Sequence, residues 1–328
     1  MNYIKMSPFM GVTGYGGGPT GITLNSGALK MLWGGDRGII NNYYKSSTIE
    51  YFAIPTTGNA SSFGTGIDNA KYANSALSNT TRALFAGGNH GGNSTSEVID
   101  YITVSTTGNS TDFGNMLDDC HWYAGICNGT RGVWGVGNTT NNDLTQMSYV
   151  TVDTTGNATD FGNTTVGRYA GAGAADATRG VFAGGYGPNY SNVIDYITID
   201  TTGDGTDFGD LAESKYYISG ASDATRAVWC GGAHTYNSAH DSVETIEYSE
   251  IQTAANASDF GDLIWYSQNC GTSSNGDRAV HMQSRTSQNT GSLTHDEMCY
   301  FTIQTTGNAS DFGDTVQDTN YCAACSGE

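Results

Sequence analysis

The chain of 328 residues carries 46 glycines, about double the usual ~7% share, and a net charge of −19 with only 14% charged residues. That balance excludes a helical bundle and leaves Asn, Thr, Ser, Gly and Tyr, the residues of strands and turns. It excludes nucleic acid as a partner as well, because an acidic chain without a basic patch repels a phosphate backbone, whereas 37% hydrophobic and 11% aromatic residues argue for a packed core over disorder.

Residues 1–29 precede any repeat. Met1 to Met10 (MNYIKMSPFM) lacks the apolar stretch and cleavage site of a signal peptide, and no apolar run approaches the ~20 residues that span a bilayer. Assembly in a cytoplasm without membrane insertion is the expectation. The glycine-rich Gly14 to Pro19 (GYGGGP) suits an attachment arm, which places the domain proper at 30–328.

From residue 30 onward one unit recurs six times. Each opens on a basic residue followed three later by a ring: Lys30 and Trp33, Arg82 and Phe85, Arg131 and Trp134, Arg179 and Phe182, Arg226 and Trp229, Arg278 and His281. A short apolar strand is expected there, and four of the six close on Gly-Gly. A β-rich strand with a tyrosine follows (Tyr51, Tyr101, Tyr149, Tyr196, Tyr248, Tyr300), then a Thr-Thr-Gly-Asn type of turn. Each tyrosine is followed after 12 residues by Phe63, Phe113, Phe161, Phe208, Phe260 or Phe312, in phrases such as TTGNATDFG. A stretch of small residues completes the unit. Successive phenylalanines are 50, 48, 47, 52 and 52 residues apart, a spacing with four short strands that matches a propeller blade.

The chain ends point to ring closure. From each Phe to the next Arg the distance is 19, 18, 18, 18 and 18 residues, so the sequence stops just short of the next expected Arg. Tyr321 to Ser326 would then supply the inner strand of a blade whose other strands come from the N-terminal side, removing exposed edges. Gly21 to Ser26 (GITLNS) is the competing candidate for that strand. The expectation is an all-β, six-bladed propeller closed by N- and C-terminal strands.

Gly-Gly after a short strand, a strand with tyrosine and an aromatic a dozen residues later resemble the kelch repeat of the galactose-oxidase central domain, with Phe where kelch has Trp. The IDYITIDTTG type of phrase is similar to repeats of virion structural proteins of marine and cyanobacterial phages. This resemblance implies a kelch-like propeller in a virion, as a tail-fibre, baseplate or capsid-surface module. Its partners would be neighbouring virion proteins and a host-surface glycan, and a homo-oligomer within the particle is compatible with that role.

Motifs that could carry chemistry have simpler readings. The five Asp-Phe-Gly triplets lack the Gly-rich loop, strand lysine and His-Arg-Asp of a kinase and read as blade punctuation. Asp204 to Asp210 offers carboxylates at short spacing but no calcium-loop frame, so its Asn and Asp residues read as turn formers bonded to their own backbone. Cys322 and Cys325 form the one Cys-x-x-Cys, without the further ligands a structural zinc requires. Seven irregularly spaced cysteines read as reduced thiols, and the Asn-x-Ser/Thr triplets as turns. Arginines repeated at one blade position suit a scaffold, pairing with a neighbouring blade's Asp, better than a sialidase cluster. No motif permits a galactose-oxidase copper site to be transferred. No cofactor, metal or catalytic residue is therefore assigned, and the expectation is a protein without enzymatic activity.

Variable length marks the loops between second and third strands, where binding groups sit on a rigid scaffold. The candidates are Tyr43, Tyr44, His90, Tyr186, Tyr190, His234, Tyr236 and His240, whose rings and polar tips suit sugars or peptides. A free-standing carbohydrate-binding propeller is the alternative function, with a propeller hydrolase or oxidase behind it.

Overall fold

A computed structural model describes residues 35–41, 47–66, 72–90, 95–139, 144–223, 225–234, 242–283, 295–319 and 321–327. The proposed arm (1–29), Lys30, Trp33 and the GITLNS segment lie outside them. Among the described residues there is no helix, and 24 strands form six four-stranded antiparallel sheets.

The first blade takes β1 (Arg37–Asn41), β2 (Thr48–Ala53) and β3 (Ser61–Thr65) from the N-terminal side. The second holds β4 (Ser75–Ser78), β5 (Arg82–Ala86), β6 (Val98–Thr103) and β7 (Thr111–Asn115). In the third, β8 (Ala124–Cys127), β9 (Arg131–Gly135), β10 (Gln146–Thr151) and β11 (Thr159–Asn163) run from the axis outward. The fourth has β12 (Ala172–Ala175), β13 (Arg179–Tyr186), β14 (Tyr190–Thr198) and β15 (Thr206–Asp210). The fifth has β16 (Ser219–Ser222), β17 (Arg226–Cys230), β18 (Val243–Glu250) and β19 (Ser258–Ser267). The sixth has β20 (Thr272–Ser274), β21 (Arg278–Met282), β22 (His295–Thr302) and β23 (Ser310–Thr319).

The last strand, β24 (Ala323–Gly327), returns to the first blade and pairs with β1, placing Ile39 opposite Cys325. The inner strands contact one another in a closed ring, so the protein is a six-bladed β-propeller completed by its C-terminal strand. The blade opens at Arg37, which takes the part expected of Lys30. Gly35 stands before the strand, whereas the Gly-Gly pairs of the other blades stand after it or, in the fourth blade, near its end.

The repeat phrase is an interlock between blades. The turn glycine of one blade donates its N–H to the Phe carbonyl of its neighbour, as in Gly203 to Phe161 (2.7 Å) and Gly156 to Phe113 (2.8 Å). The next residue's side-chain oxygen accepts the backbone N–H at the neighbour's outer strand: Asn109 from Thr65, Asn157 from Asn115, Asp204 from Asn163, Asn256 from Asp210, Asn308 from Asp262 and Asn59 from Asp314. These Asn and Asp residues thus serve the adjacent blade's backbone, where the sequence suggested bonds to their own. The glycine of Asp-Phe-Gly makes room for this contact, since a Cβ on Gly162 (φ +136°) would lie 2.3 Å from the Gly203 carbonyl oxygen. A turn that must meet both its own hairpin and the next blade tolerates no insertion, which explains the invariant 12-residue interval.

Arginine and tyrosine form a second ring. Each guanidinium lies over its own blade's tyrosine, at 4.1 Å for Arg226 on Tyr248 to 4.9 Å for Arg37 on Tyr51. It donates to a carbonyl of the next blade: Arg37 to Val104, Arg82 to Val152, Arg131 to Ile199, Arg179 to Ile251, Arg226 to Ile303 and Arg278 to Ile54. The expected Asp partner is therefore a backbone carbonyl. The tyrosine's edge meets the buried Phe, as between Tyr149 and Phe161 at 6.0 Å and 82°. All six phenylalanines are buried between blades.

Candidate functional site

Loops between second and third strands emerge on the face where the inner strands begin. Single β-bridges join the two sets of segments: Tyr72 to Asn89, His121 to Asn138, Tyr169 to Tyr186 and Tyr216 to Ala233. Two residues before its inner strand, or three in the sixth blade, every blade has a non-glycine residue in the left-handed region: Ala73, Trp122, Ala170, Tyr217, Asn269 and Tyr321, with φ between 56° and 62°. For L-residues this conformation costs about 1–2 kcal/mol each. Backbone bonds passed from blade to blade hold it in place: Trp122 N–H to Ala73 O (2.8 Å), Ala170 to Trp122 (3.0 Å), Tyr217 to Ala170 (2.7 Å) and Asn269 to Tyr217 (3.1 Å).

The ring surrounds one end of the central channel, and its side chains alternate in size. Trp122, Tyr217 and Tyr321 come from alternate blades and meet near the axis, with centroid separations of 4.6 Å (Trp122–Tyr217), 5.0 Å (Trp122–Tyr321) and 6.4 Å (Tyr217–Tyr321). Below them is a cavity of about 110 Å³, whose lining residues are all uncharged. Two of these, Asn74 and Asn269, are buried with side-chain oxygen and nitrogen lacking any hydrogen-bond partner. Leaving a buried polar group unpaired costs about 1–3 kcal/mol. The opposite end of the channel is different. There Ser78, Ser222, Ser274 and Ser326 donate to the carbonyls of Ser326, Ala175, Ser222 and Ser274, stapling inner strands together.

From the mouth an aromatic tract runs outward across the fourth and fifth blades. Tyr217 stacks at 4.2 Å on Tyr216, which meets Tyr190 at 5.5 Å and Tyr186 at 6.0 Å, and Tyr186 meets Tyr169 at 5.6 Å. Tyr216 is buried, while Tyr169, Tyr186, Tyr190, Tyr217, Trp122 and Tyr321 are half-buried. Buried cations anchor the segments that carry the tyrosines. Arg168, beside Tyr169, pairs with Asp195 at 2.7 Å and donates Nε to Gly184 O at 2.7 Å. Lys215, beside Tyr216, pairs with Glu247 at 2.5 Å. Removing one partner of such a pair costs about 3–5 kcal/mol by stranding the other charge.

Of the residues expected from sequence, Tyr186 and Tyr190 face each other at the tip of the β13–β14 hairpin, 5.1 Å apart, inside this tract. His234 bonds Glu213 Oε2 (3.0 Å) through Nε2 and Ser214 O (3.1 Å) through Nδ1, at the edge of the fifth blade. His90 is half-buried next to the Tyr72–Asn89 bridge of the second blade. Tyr43, Tyr44, Tyr236 and His240 lie outside the described residues. Sequence reasoning missed Trp122, Tyr169, Tyr216, Tyr217, Tyr321 and Asn269. For the aromatic ones a signal was present, a ring two or three residues before the small-residue strand in five of the six units (Tyr72, Trp122, Tyr169, Tyr217 and Tyr321).

The buried nucleophiles and bases are packed, not presented. His281 has Nε2 3.0 Å from Ser267 Oγ, with Thr272 Oγ1 (3.0 Å) and Ser219 Oγ (3.2 Å) at Nδ1; burial pushes its pKa down to about 3, so the ring is neutral. All seven cysteines are free, and burial pushes the Cys322 and Cys325 thiols up to about 12. Among the described residues no group of three His, Cys, Asp or Glu side chains could hold a metal ion.

No protein-family model matches the chain, and no curated protein matches it.

Proposed function

We propose that the protein is a non-enzymatic, kelch-like structural component of a phage particle, a tail-fibre, baseplate or capsid-surface module whose aromatic face contacts a neutral host glycan. The observation that carries the glycan reading is the continuous tract from Tyr190 through Tyr216 to Trp122 on the variable-loop face. Aromatic faces stack on the C–H faces of sugar rings, and amides and hydroxyls beside them bond sugar hydroxyls. The tract presents aromatic faces and amides, groups suited to binding and orienting a sugar, and this supports recognition. A net charge of −19 favours a neutral ligand over a sialylated or phosphorylated one. The six-fold interlock suits a module that must stay folded outside a cell while touching neighbouring subunits. The virion assignment rests on the similarity of the repeat phrase to phage structural repeats.

Glycan-array binding of the whole chain tests the face. Tyr186→Ser together with Tyr190→Ser abolishes array binding while circular dichroism stays that of the parent. Binding that survives the double change refutes the assignment of this face.

A further inference from the structure

We infer that the mouth of the central channel is a subsite for an acetamido group, so that the glycan on the aromatic face carries an N-acetylated sugar. This rests on the reading of that face as glycan-binding and adds the group it selects. The starting point is the pair of amides. Asn269 is 5% exposed and Asn74 8%, both line the same cavity, and all four of their polar atoms lack partners. The serines at the far end of the channel, by contrast, all spend their hydroxyls on carbonyls.

The complement of a primary amide is another amide: its carbonyl accepts from Nδ2 while its N–H donates to Oδ1. Above the amides the rings of Trp122, Tyr217 and Tyr321 form an apolar wall suited to a methyl group. An acetamido group combines methyl, carbonyl and N–H in one small unit. The cavity of about 110 Å³ is roomy enough for that group, since one water needs only ~10–15 Å³ by the same measure. The ring itself stays outside, against the half-buried faces of Trp122 and Tyr217. No charged residue lines the cavity, which disfavours a carboxylate, phosphate or ammonium group there. The left-handed backbone at Trp122, Tyr217 and Tyr321 holds these rings over the mouth, and strain of this kind collects where a ligand is gripped.

The test titrates the full chain with N-acetylglucosamine, N-acetylgalactosamine, glucose and galactose, by calorimetry and by saturation-transfer NMR read at the acetyl methyl. Both N-acetylated sugars bind at least about tenfold more tightly than their parent sugars, and the methyl receives the strongest saturation. Asn269→Gly keeps the left-handed backbone and removes the amide, and it erases that preference. Asn74→Ser weakens it and serves as the second variant should the first fail to fold. Equal affinity with and without the acetamido group, or an unchanged preference in both variants, overturns the inference and leaves the aromatic face as a glycan site. Failure of all four sugars, together with an empty glycan array, overturns both.

Discussion

Replacing Gly162 with alanine tests the interlock where it is tightest. Gly162 sits at φ +136°, and a Cβ there would meet Gly203 O at 2.3 Å and Gly203 C at 2.5 Å, both backbone atoms that cannot rotate away. The seam must open, weakening Gly203 N–H to Phe161 O (2.7 Å), Gly205 N–H to Asn163 O (2.6 Å) and Asn163 N–H to Asp204 Oδ1 (2.9 Å). Backbone strain of about 1–2 kcal/mol and the weakening of hydrogen bonds worth about 1 kcal/mol each give roughly 3–5 kcal/mol. With an unfolding entropy of ~2.1 cal/mol/K per residue, that lowers Tm by about 4–7 °C for a chain of 328 residues. Gly203→Ala is the control, because a Cβ at Gly203 meets nothing within 4 Å. Differential scanning calorimetry of both variants reads the difference. A Gly162→Ala protein melting within 1 °C of the parent, or a Gly203→Ala protein falling as far, would show that the seam is not what the repeat encodes (a difference of roughly 0.7 kcal/mol or less).

Deleting residues 320–328 strips β24 from β1, leaving the first blade without its inner strand, so the truncated chain aggregates or melts far below the parent in a thermal shift assay. Phe161→Ala, at 2% exposure between two blades, costs about 3–5 kcal/mol in urea unfolding. His281 is held near pKa 3 in the fold against an ordinary 6.5, so the unfolded chain binds its proton first. Its contribution is therefore complete above about pH 6.5 and is lost as pH falls towards 3, by up to about 1.4 kcal/mol per unit. Urea melts between pH 7 and pH 5 show that loss, and His281→Gln reduces it.

The fold was legible because its repeated residues each do one job six times. Phenylalanine is buried, tyrosine lies between it and an arginine, and a fixed interval between them signals a turn with no freedom. Closure was legible from the distance between the last Phe and the chain end. The first blade was misread at Lys30 because its Gly-Gly pair precedes the strand, and Arg37 follows at an interval to Tyr51 of 14 residues, shorter than in any other blade. Arginine's target was misread for a different reason: a backbone carbonyl has no residue type and leaves no trace in a sequence.

The site was legible only at its outer end. Tyr186 and Tyr190 stand in a loop of variable length, which marks them. Trp122, Tyr217 and Tyr321 adopt a conformation that local propensity assigns to glycine or asparagine, and only Asn269 follows that preference. Backbone bonds linking Ala73, Trp122, Ala170, Tyr217 and Asn269 across neighbouring blades fix this geometry along that arc, and they exist only once those blades have packed. The cysteines show the same limit. Cys127 and Cys270 each lie four residues after a tyrosine, Tyr123 and Tyr266, yet Cys127 ends β8 whereas Cys270 precedes β20, so they stand at different levels of the channel.

The proposal that this propeller belongs to a phage particle is tested most directly by quantitative mass spectrometry of particles purified from lysates in which the chain is produced. The account predicts the chain at a stoichiometric ratio to the major virion proteins, retained after nuclease treatment and density-gradient banding. Its absence from banded particles, with the chain found only in the soluble lysate, would contradict the virion assignment.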